Sequence, residues 1–338
     1  MFNLYEKKNT RLRVLVTGAS GFIGSHLIDL LCEKKYEVVC FIKKGENTRW
    51  LDHKNIQIRY GDITDKKSIE SVIDGPFHYI YHLAGVMKTD KPKTYYKVNA
   101  EGTRNLVEVC IEKKVPLKRF VYTSSAAASG PSGKYNTLRE TDECRPVTDY
   151  GKSKLEAERV LFQYRERIPF TILRPTLVYG PRNPHGIFAY FQFAARGFKP
   201  NLGDGMANLI YVKDLIRALV LAAEIEEAKG RMYLVGEQRI YSFKELGDTI
   251  SEVIGRKTFT VRIPTFVLFA SGALLQTIAK ITHTRPLFDL RRARDMNYRY
   301  WRFDTSKIER ELGFFPVYSL RDGVKETVRW YRREGWIK

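Results

Sequence analysis

Cysteine is scarce: Cys32, Cys40, Cys110 and Cys144 are the only four in 338 residues, with no CxxC pair and no nearby histidine cluster. That excludes a disulfide framework and a thiolate zinc site, and no metal is expected. Long apolar runs are missing too. The longest uncharged stretch, Ile263 to Ala279, holds Pro264, Ser271, Gly272 and Gln276 and falls short of the roughly 20 apolar residues a spanning helix needs. The opening MFNLYEKKNTRLR has no signal-peptide core, so a cytoplasmic location is expected. Acidic residues are few, 38 against 58 Lys and Arg, for a formal net charge of +20. Such a charge admits nucleic acid, an anionic membrane surface or acidic substrates as partners. The cations are dispersed, with local concentrations at Arg291-Arg292-Ala293-Arg294 and Arg329 to Arg333, and no nucleic-acid motif accompanies them. Solvated helix faces are therefore expected, with no specific nucleic-acid partner and at most a weak, salt-screened contact with anionic membranes.

What is present begins with Leu12 to Ile28, LRVLVTGASGFIGSHLI. The apolar run Val14–Val16 reads as a buried parallel strand, and after Thr17 the apolar spacing changes to that of a helix. Gly18 permits the tight turn, Gly21 keeps side chains away from a pyrophosphate, and Gly24 lets helix and strand pack closely. Ser20, Phe22 and Ile23 complete the turn, and the free N–H groups of the helix start face an anion. A plain glycine-rich turn is the simpler reading; the strand before, the helix after and the alternation that follows favour dinucleotide binding.

Short apolar runs follow at 37–42, 56–60, 79–83, 119–124 and 170–173, separated by helical stretches such as 66–73 and 95–114. The pattern predicts an α/β fold, a Rossmann-type doubly wound parallel sheet with a smaller, mostly helical C-terminal domain. A helix is expected over Leu209–Ala223 and a further strand over Met232–Val235. Residues 11–179 and 206–235 are assigned to the dinucleotide-binding domain, and 180–205 and 236–338 to the substrate domain. Within the latter, helices are expected over Phe243–Ile254, Pro264–Ile281 and Thr305–Leu312.

Ligands of such sheets bind beyond the carboxyl ends of the strands. After the second strand, Lys43 and Lys44 stand where an acidic residue would hold the ribose diol of NAD, and Glu46 comes later, which favours NADP over NAD unless the two are ordinary surface lysines. Asp62 and Ile63 offer a carboxylate and backbone to an adenine edge, Asp62 having a second reading as a helix cap. Leu83, Ala84 and Gly85 are suited to backbone beside the cofactor, or to a tight turn.

The chemistry centres on Ser125, at the end of a strand closing in hydroxyls, and on Tyr150 and Lys154, one helical turn apart on one face. A phenol of pKa about 10 is a poor base near neutrality, and a neighbouring ammonium favours its anion. Tyr150 then serves as proton relay, Ser125 holds the reacting oxygen, and Lys154 also holds the nicotinamide ribose. Among 20 tyrosines no other has a lysine four residues on.

Together with GDITD, HLAG, VNAEGT, LRPTLVYGPR and DTSKIERELGFFP, these residues give the whole chain a resemblance to the extended short-chain dehydrogenase/reductases. The resemblance implies catalytic Ser125, Tyr150 and Lys154, a supporting Asn99, Pro175 near the nicotinamide, hydride transfer at an alcohol or carbonyl carbon, and a homodimer. Asn99 has the alternative role of tying a helix to a strand.

Departures narrow the reaction. Sugar-nucleotide dehydratases of this pattern carry an Asp-Glu pair where this chain has Ala126 and Ala127, and nucleotide-sugar epimerases carry a diphosphate-binding arginine where it has Ala207. Arg182, Arg285 and Arg291 are the cations left to replace it. The apolar Pro264–Ile281 stretch is expected to pack in the core or line an apolar pocket ahead of touching a membrane surface. The second domain and tail resemble the branch holding 3β-hydroxysteroid dehydrogenase-like, dihydroflavonol reductase-like and hopanoid-associated epimerase-like proteins. The expected activity is an NADP-preferring oxidoreductase acting on a largely apolar small molecule. A nucleotide-sugar epimerase is the second reading, and a non-catalytic nucleotide-bound scaffold or RNA-binding protein the third.

Overall fold

Buried strands that alternate with amphipathic helices leave the chain one economical arrangement, a parallel sheet covered on both faces. The computed structural model describes residues 11–52, 56–201, 203–282 and 290–338; the N-terminal leader through residue 10 and Arg285 lie outside them. In chain order the first half comprises β1 (Arg13–Thr17), α1 (Phe22–Glu33), β2 (Glu37–Ile42), β3 (Ile56–Tyr60), α2 (Lys66–Val72) and β4 (Tyr79–His82). There follow α3 (Pro92–Tyr95), a π-helical turn Tyr96–Glu101, α4 (Gly102–Glu112), β5 (Arg119–Thr123), α5 (Asp149–Gln163) and β6 (Phe170–Pro175). The second half holds β7 (Leu177–Tyr179), α6 (Phe188–Ala195), β8 (Phe198–Asn201), β9 (Met206–Tyr211), α7 (Val212–Glu224) and β10 (Arg231–Val235). It closes with β11 (Ile240–Ser242), α8 (Phe243–Ile254), β12 (Phe259–Arg262), α9 (Thr265–Ile281), α10 (Leu290–Asn297), β13 (Tyr300–Trp301), α11 (Ser306–Leu312) and α12 (Leu320–Arg333).

Seven strands form one parallel sheet in the order β10-β6-β5-β4-β1-β2-β3. The order reverses between β1 and β4, which opens a crevice at their carboxyl ends. Val14, Val16, Val38 and Cys40 face one helical layer, with Leu27, Leu31, Leu215 and Leu219; Leu15, Val39, Ile80 and Phe120 face the other, with Leu106, Val109, Ala157 and Leu161. A third core, under the small domain, gathers Phe191, Tyr211, Leu246, Trp330 and Tyr331.

Two expectations need correction here. Leu209–Tyr211 ends strand β9 and the helix starts at Val212, because β9 pairs with β7, β11 and β13 in a separate small sheet; an unbroken apolar run does not reveal where strand gives way to helix. The apolar stretch over Pro264–Ile281 does form a helix, yet Phe266, Leu274 and Ile281 are exposed, so its outer face is neither core nor pocket lining.

The glycine-rich turn is held by contact. Gly18 has φ +68°, and a Cβ there would sit 2.7 Å from the Ala84 nitrogen; a Cβ on Gly24 would sit 2.1 Å from the Gly18 carbonyl oxygen. Gly24→Ala is therefore expected to lower stability by at least the roughly 1–3 kcal/mol of ordinary overpacking. A denaturant midpoint equal to that of the unaltered chain would contradict this packing.

Candidate active site

The crevice is built from the strand ends that flank the reversal of strand order. Leu83 N–H donates to the Thr17 carbonyl at 3.2 Å and Ala84 N–H to the Thr17 hydroxyl at 3.1 Å, which sets the β4 exit directly on the glycine turn. Below it His82 is fully buried between the hydroxyls of Thr17 (2.7 Å) and Thr103 (2.9 Å), and burial pulls its pKa down to about 3, so it stays neutral. Gly21 opens α1 with extended backbone; the helix has no side-chain cap and no acid in its first turn, so the N–H groups of Phe22 and Ile23 are left to an external anion. Ser20 lies on this turn, and its hydroxyl donates to Glu46.

That contact was not legible in the order of residues. Glu46 follows β2 by four positions, but the loop folds back and brings a carboxylate to the glycine turn. Lys43 pairs with Asp62 at 2.9 Å, and Lys44 is exposed. Asp62 also accepts from Thr64 N–H and hydroxyl at 2.9 and 2.8 Å. Burial raises its pKa, but the Thr64 and Lys43 bonds outweigh it and hold the carboxyl at about 2. It does not cap α2; Asp65 does, accepting from Lys67 N–H. Ile63 is buried, and Gly102 packs on it so closely that a Cβ would come within 2.9 Å.

On the other side stands α5. Thr148 caps it through Gly151 N–H, and Tyr150, Lys154 and Glu158 follow at one-turn intervals. Lys154 is buried, donates from Nζ to the Thr123 carbonyl at 2.6 Å, and lies 4.4 Å from the Tyr122 ring centroid. Burial pulls its pKa from 10.5 to about 7, against the opposing pull of Glu158. Gly85 brings backbone beside it: a Cβ there would lie 3.8 Å from Nζ. Burial pushes the Tyr150 phenol above its usual 10, while its hydrogen bond with Ser125 draws it back. Burial outweighs hydrogen bonding at this phenol. Ser125 opens a short 3₁₀ turn and accepts from Ala127 N–H.

Asn99 occupies the π-helical turn, fully buried. It exchanges bonds with the Val86 backbone (2.8 and 3.1 Å) and donates to the Ser153 hydroxyl at 2.9 Å, tying the β4 exit to α5. Pro175 ends β6 opposite Val235. These residues fit a dinucleotide: an uncapped helix start, glycines at each close approach and a buried amine with donors to spare. Among the described residues no cluster of His, Cys, Asp or Glu could hold a metal, and no helix is long and apolar enough to cross a membrane.

Tyr150 lines a cavity of about 330 Å³ with Met87, Tyr95, Val147, Thr148 and, from α10, Arg294 and Asp295. The Tyr95 ring meets Tyr150 edge-on at 6.3 Å. A second cavity of like volume, around Cys110 and Pro169, is walled by none of these residues. Sequence reading passed over Arg294, placing it on a solvated face, because contact across some 140 positions leaves no local signature. It also passed over Glu158, which the i, i+4, i+8 series with Tyr150 and Lys154 does announce. Glu158 is buried against Arg174, and Ser124 donates to it. Arg182 is engaged by Asp29 at 2.9 Å and lies over Trp50. Arg291 sits on α10.

The Lys154 shift gives a stability signature. Unfolded, the lysine keeps its proton to about pH 10.5; folded, it gives it up near 7, so its burial penalty is full below pH 7 and fades as pH rises toward 10.5. The melting temperature of Lys154→Met relative to the unaltered chain should thus be more favourable at about pH 6.5 than at about pH 9.5. A difference independent of pH would contradict the buried, depressed amine.

Known proteins supply the context for this geometry. The chain is 26% identical to sterol demethylase protein B of Methylococcus capsulatus over 96% of its length and 100% of the relative's. It is likewise 26% identical to a ceramide reductase of Caulobacter vibrioides, covering 96% of each. Among solved structures, UDP-glucose 4-epimerase from Thermotoga maritima, crystallised with UDP-glucose, superposes with a TM-score of 0.79 at 27% identity, covering 96% of this chain and 99% of that one. The profile of the NAD dependent epimerase/dehydratase family matches residues 14–236, spanning the glycine turn, Ser125, Tyr150 and Lys154, and the chain belongs to that family, the extended short-chain dehydrogenase/reductases.

Proposed function

We propose that the chain moves a hydride between a nicotinamide cofactor and an alcohol/ketone carbon of a largely apolar small molecule, with NADP preferred over NAD. The observation that carries this reading is Tyr150 in a cavity wall, near enough to Ser125 for its hydroxyl to draw the phenol's pKa down, and one helical turn from buried Lys154. A bound nicotinamide supplies the hydride acceptor or donor. Ser125 holds the reacting oxygen, and Tyr150 gives it or takes from it a proton. Lys154 holds the ribose with the N–H groups that Thr123 leaves over, and Asn99 positions α5 through Ser153. The anion of Tyr150 must be favoured against burial, which is work for a charged Lys154; with an amine pKa near 7 that charge is available at neutral pH.

The apolar substrate class is supported by the names of the sterol and ceramide relatives, by Ala207, and by Met87, Tyr95 and Val147, which share the cavity wall with the charged Asp149, Lys152, Arg294 and Asp295. Ala207 is buried mid-strand between Tyr241 and Trp301, so no arginine stands there for a diphosphate, and Arg182 is engaged elsewhere. The epimerase reading is favoured by the likeness to UDP-glucose 4-epimerase. The two are separated by assay: turnover of added NADPH with apolar ketones is expected, and UDP-sugars are expected to give no epimer. Tyr150→Phe should cut that turnover by about 10²–10⁴-fold and leave cofactor affinity nearly intact. Near-normal activity of the variant, or epimerisation of a UDP-sugar with cofactor retained, would overturn the assignment.

NADP preference rests on Lys43 and Lys44; NAD is the second reading, favoured by Glu46 at the glycine turn. Titration should find NADP the tighter ligand, and Lys43→Asp should reverse the order. Equal affinities, or NAD ahead in the unaltered chain, would defeat this preference while leaving the chemistry untouched.

A further inference from the structure

Helix α9 is turned inside out. A surface helix presents polar residues to water, but the exposed residues of α9 are Phe266, Val267, Ala270, Leu274, Thr277, Ile278 and Ile281. At about 100° per residue they fall within an arc of about 120°, opposite buried Gly272 and Ala279. Phe266 is 72% exposed, Leu274 62% and Ile281 73%, and no charged residue interrupts the arc. The preceding strand adds exposed apolar residues, with Phe259 77% exposed and in register with the exposed Phe198 of β8. So apolar an exposed helix face calls for a partner.

Charge says which partner. From Glu252 to Asp289 the chain contains no acidic residue between the two, and five cations, Arg256, Lys257, Arg262, Lys280 and Arg285. Arg256, Lys257 and Arg262 are exposed on the turn and strand that lead into α9. Two copies meeting through this face would bring two such cationic segments together without a carboxylate between them. An anionic bilayer complements both features, its acyl boundary taking the apolar arc and its headgroups the cations.

We propose that α9, with β12, is a docking surface for an anionic lipid bilayer, the apolar arc entering the headgroup boundary. Helix α9 packs on α10, which contributes Arg294 and Asp295 to the Tyr150 cavity, so docking brings that cavity to the membrane. The docking surface does not depend on the proposed reaction and is tested without it.

The test is flotation of the full chain with phosphatidylglycerol/phosphatidylcholine vesicles and with phosphatidylcholine alone. Binding to the anionic vesicles is expected, and a fraction of it should persist at about 0.5 M salt, where screening is short-ranged and only apolar insertion holds. Phe266→Ser, Leu274→Ser and Ile281→Ser combined should weaken binding by at least about 100-fold with an unchanged melting temperature, since all three are exposed. Arg256→Gln, Lys257→Gln and Arg262→Gln combined should cost about 100-fold on anionic vesicles. Phe266→Trp should be quenched by brominated lipid, which reports insertion without any loss of fold. Absence of vesicle binding, binding that the serine variant retains, or binding abolished entirely by salt would overturn the proposal. So would a serine variant that changes only the sedimentation of the protein, since that makes a second copy the occupant.

Discussion

The placement of α5 depends on one buried ion pair. Arg174 of β6 donates to Glu158 from Nε at 2.9 Å and from Nη2 at 2.5 Å, with both side chains all but inaccessible. The remaining capacity is used: Arg174 reaches the Ser129 hydroxyl and Cys144 sulfur, and Ser124 donates to Glu158. Burial alone would lower the arginine's pKa; the Glu158 carboxylate more than offsets that and raises it. A satisfied pair of this kind adds little net stability compared with apolar residues, but removing one partner strands a charge at a cost of about 3–5 kcal/mol. Its consequence is geometric. It fixes the helix to the ends of β5 and β6, and two turns earlier on the same face stands Tyr150.

Two further bonds refine that placement from other directions. Lys154 reaches the end of β5 through the Thr123 carbonyl, and Ser153 is held by Asn99 of the π-helical turn. The π-turn widens the backbone by one residue, which lets Asn99 face both Val86 and Ser153. Strands β5 and β6 and one turn therefore converge on the six residues from Ser153 to Glu158 of α5. A phenol proposed to meet a substrate oxygen needs such support, because misplacement by about an ångström is costly to catalysis.

What the sequence revealed was what short-range geometry dictates. The glycine spacing, the strand runs and the Tyr150–Lys154 interval are local, and β2, β3 and α8 have the bounds expected of them. The contact of Glu46 with Ser20 was hidden because a loop's path is set by what it meets on return. Arg294 was hidden likewise, as nothing in its cationic run distinguishes a solvated face from a cavity rim. The outer face of α9 was missed for a different reason: an apolar helix pattern says that a surface prefers to leave water, and core, pocket, second copy and bilayer satisfy that preference equally. Periodicity orients such a helix without naming what it faces.

The same limit governs the reaction. The roles proposed for Ser125, Tyr150 and Lys154 suit a reductase and an epimerase alike, since both transfer a hydride and move a proton on one oxygen. Discrimination must come from whatever holds the rest of the substrate, and around Tyr150 that wall is drawn from both halves of the chain. Ala207 is small, buried and flanked in register by Tyr241 and Trp301. In the proposed reading the chemistry is set by the nucleotide-binding half, and the substrate class by residues of both halves that meet at one phenol, Met87, Tyr95 and Val147 from the first and Arg294 and Asp295 from α10.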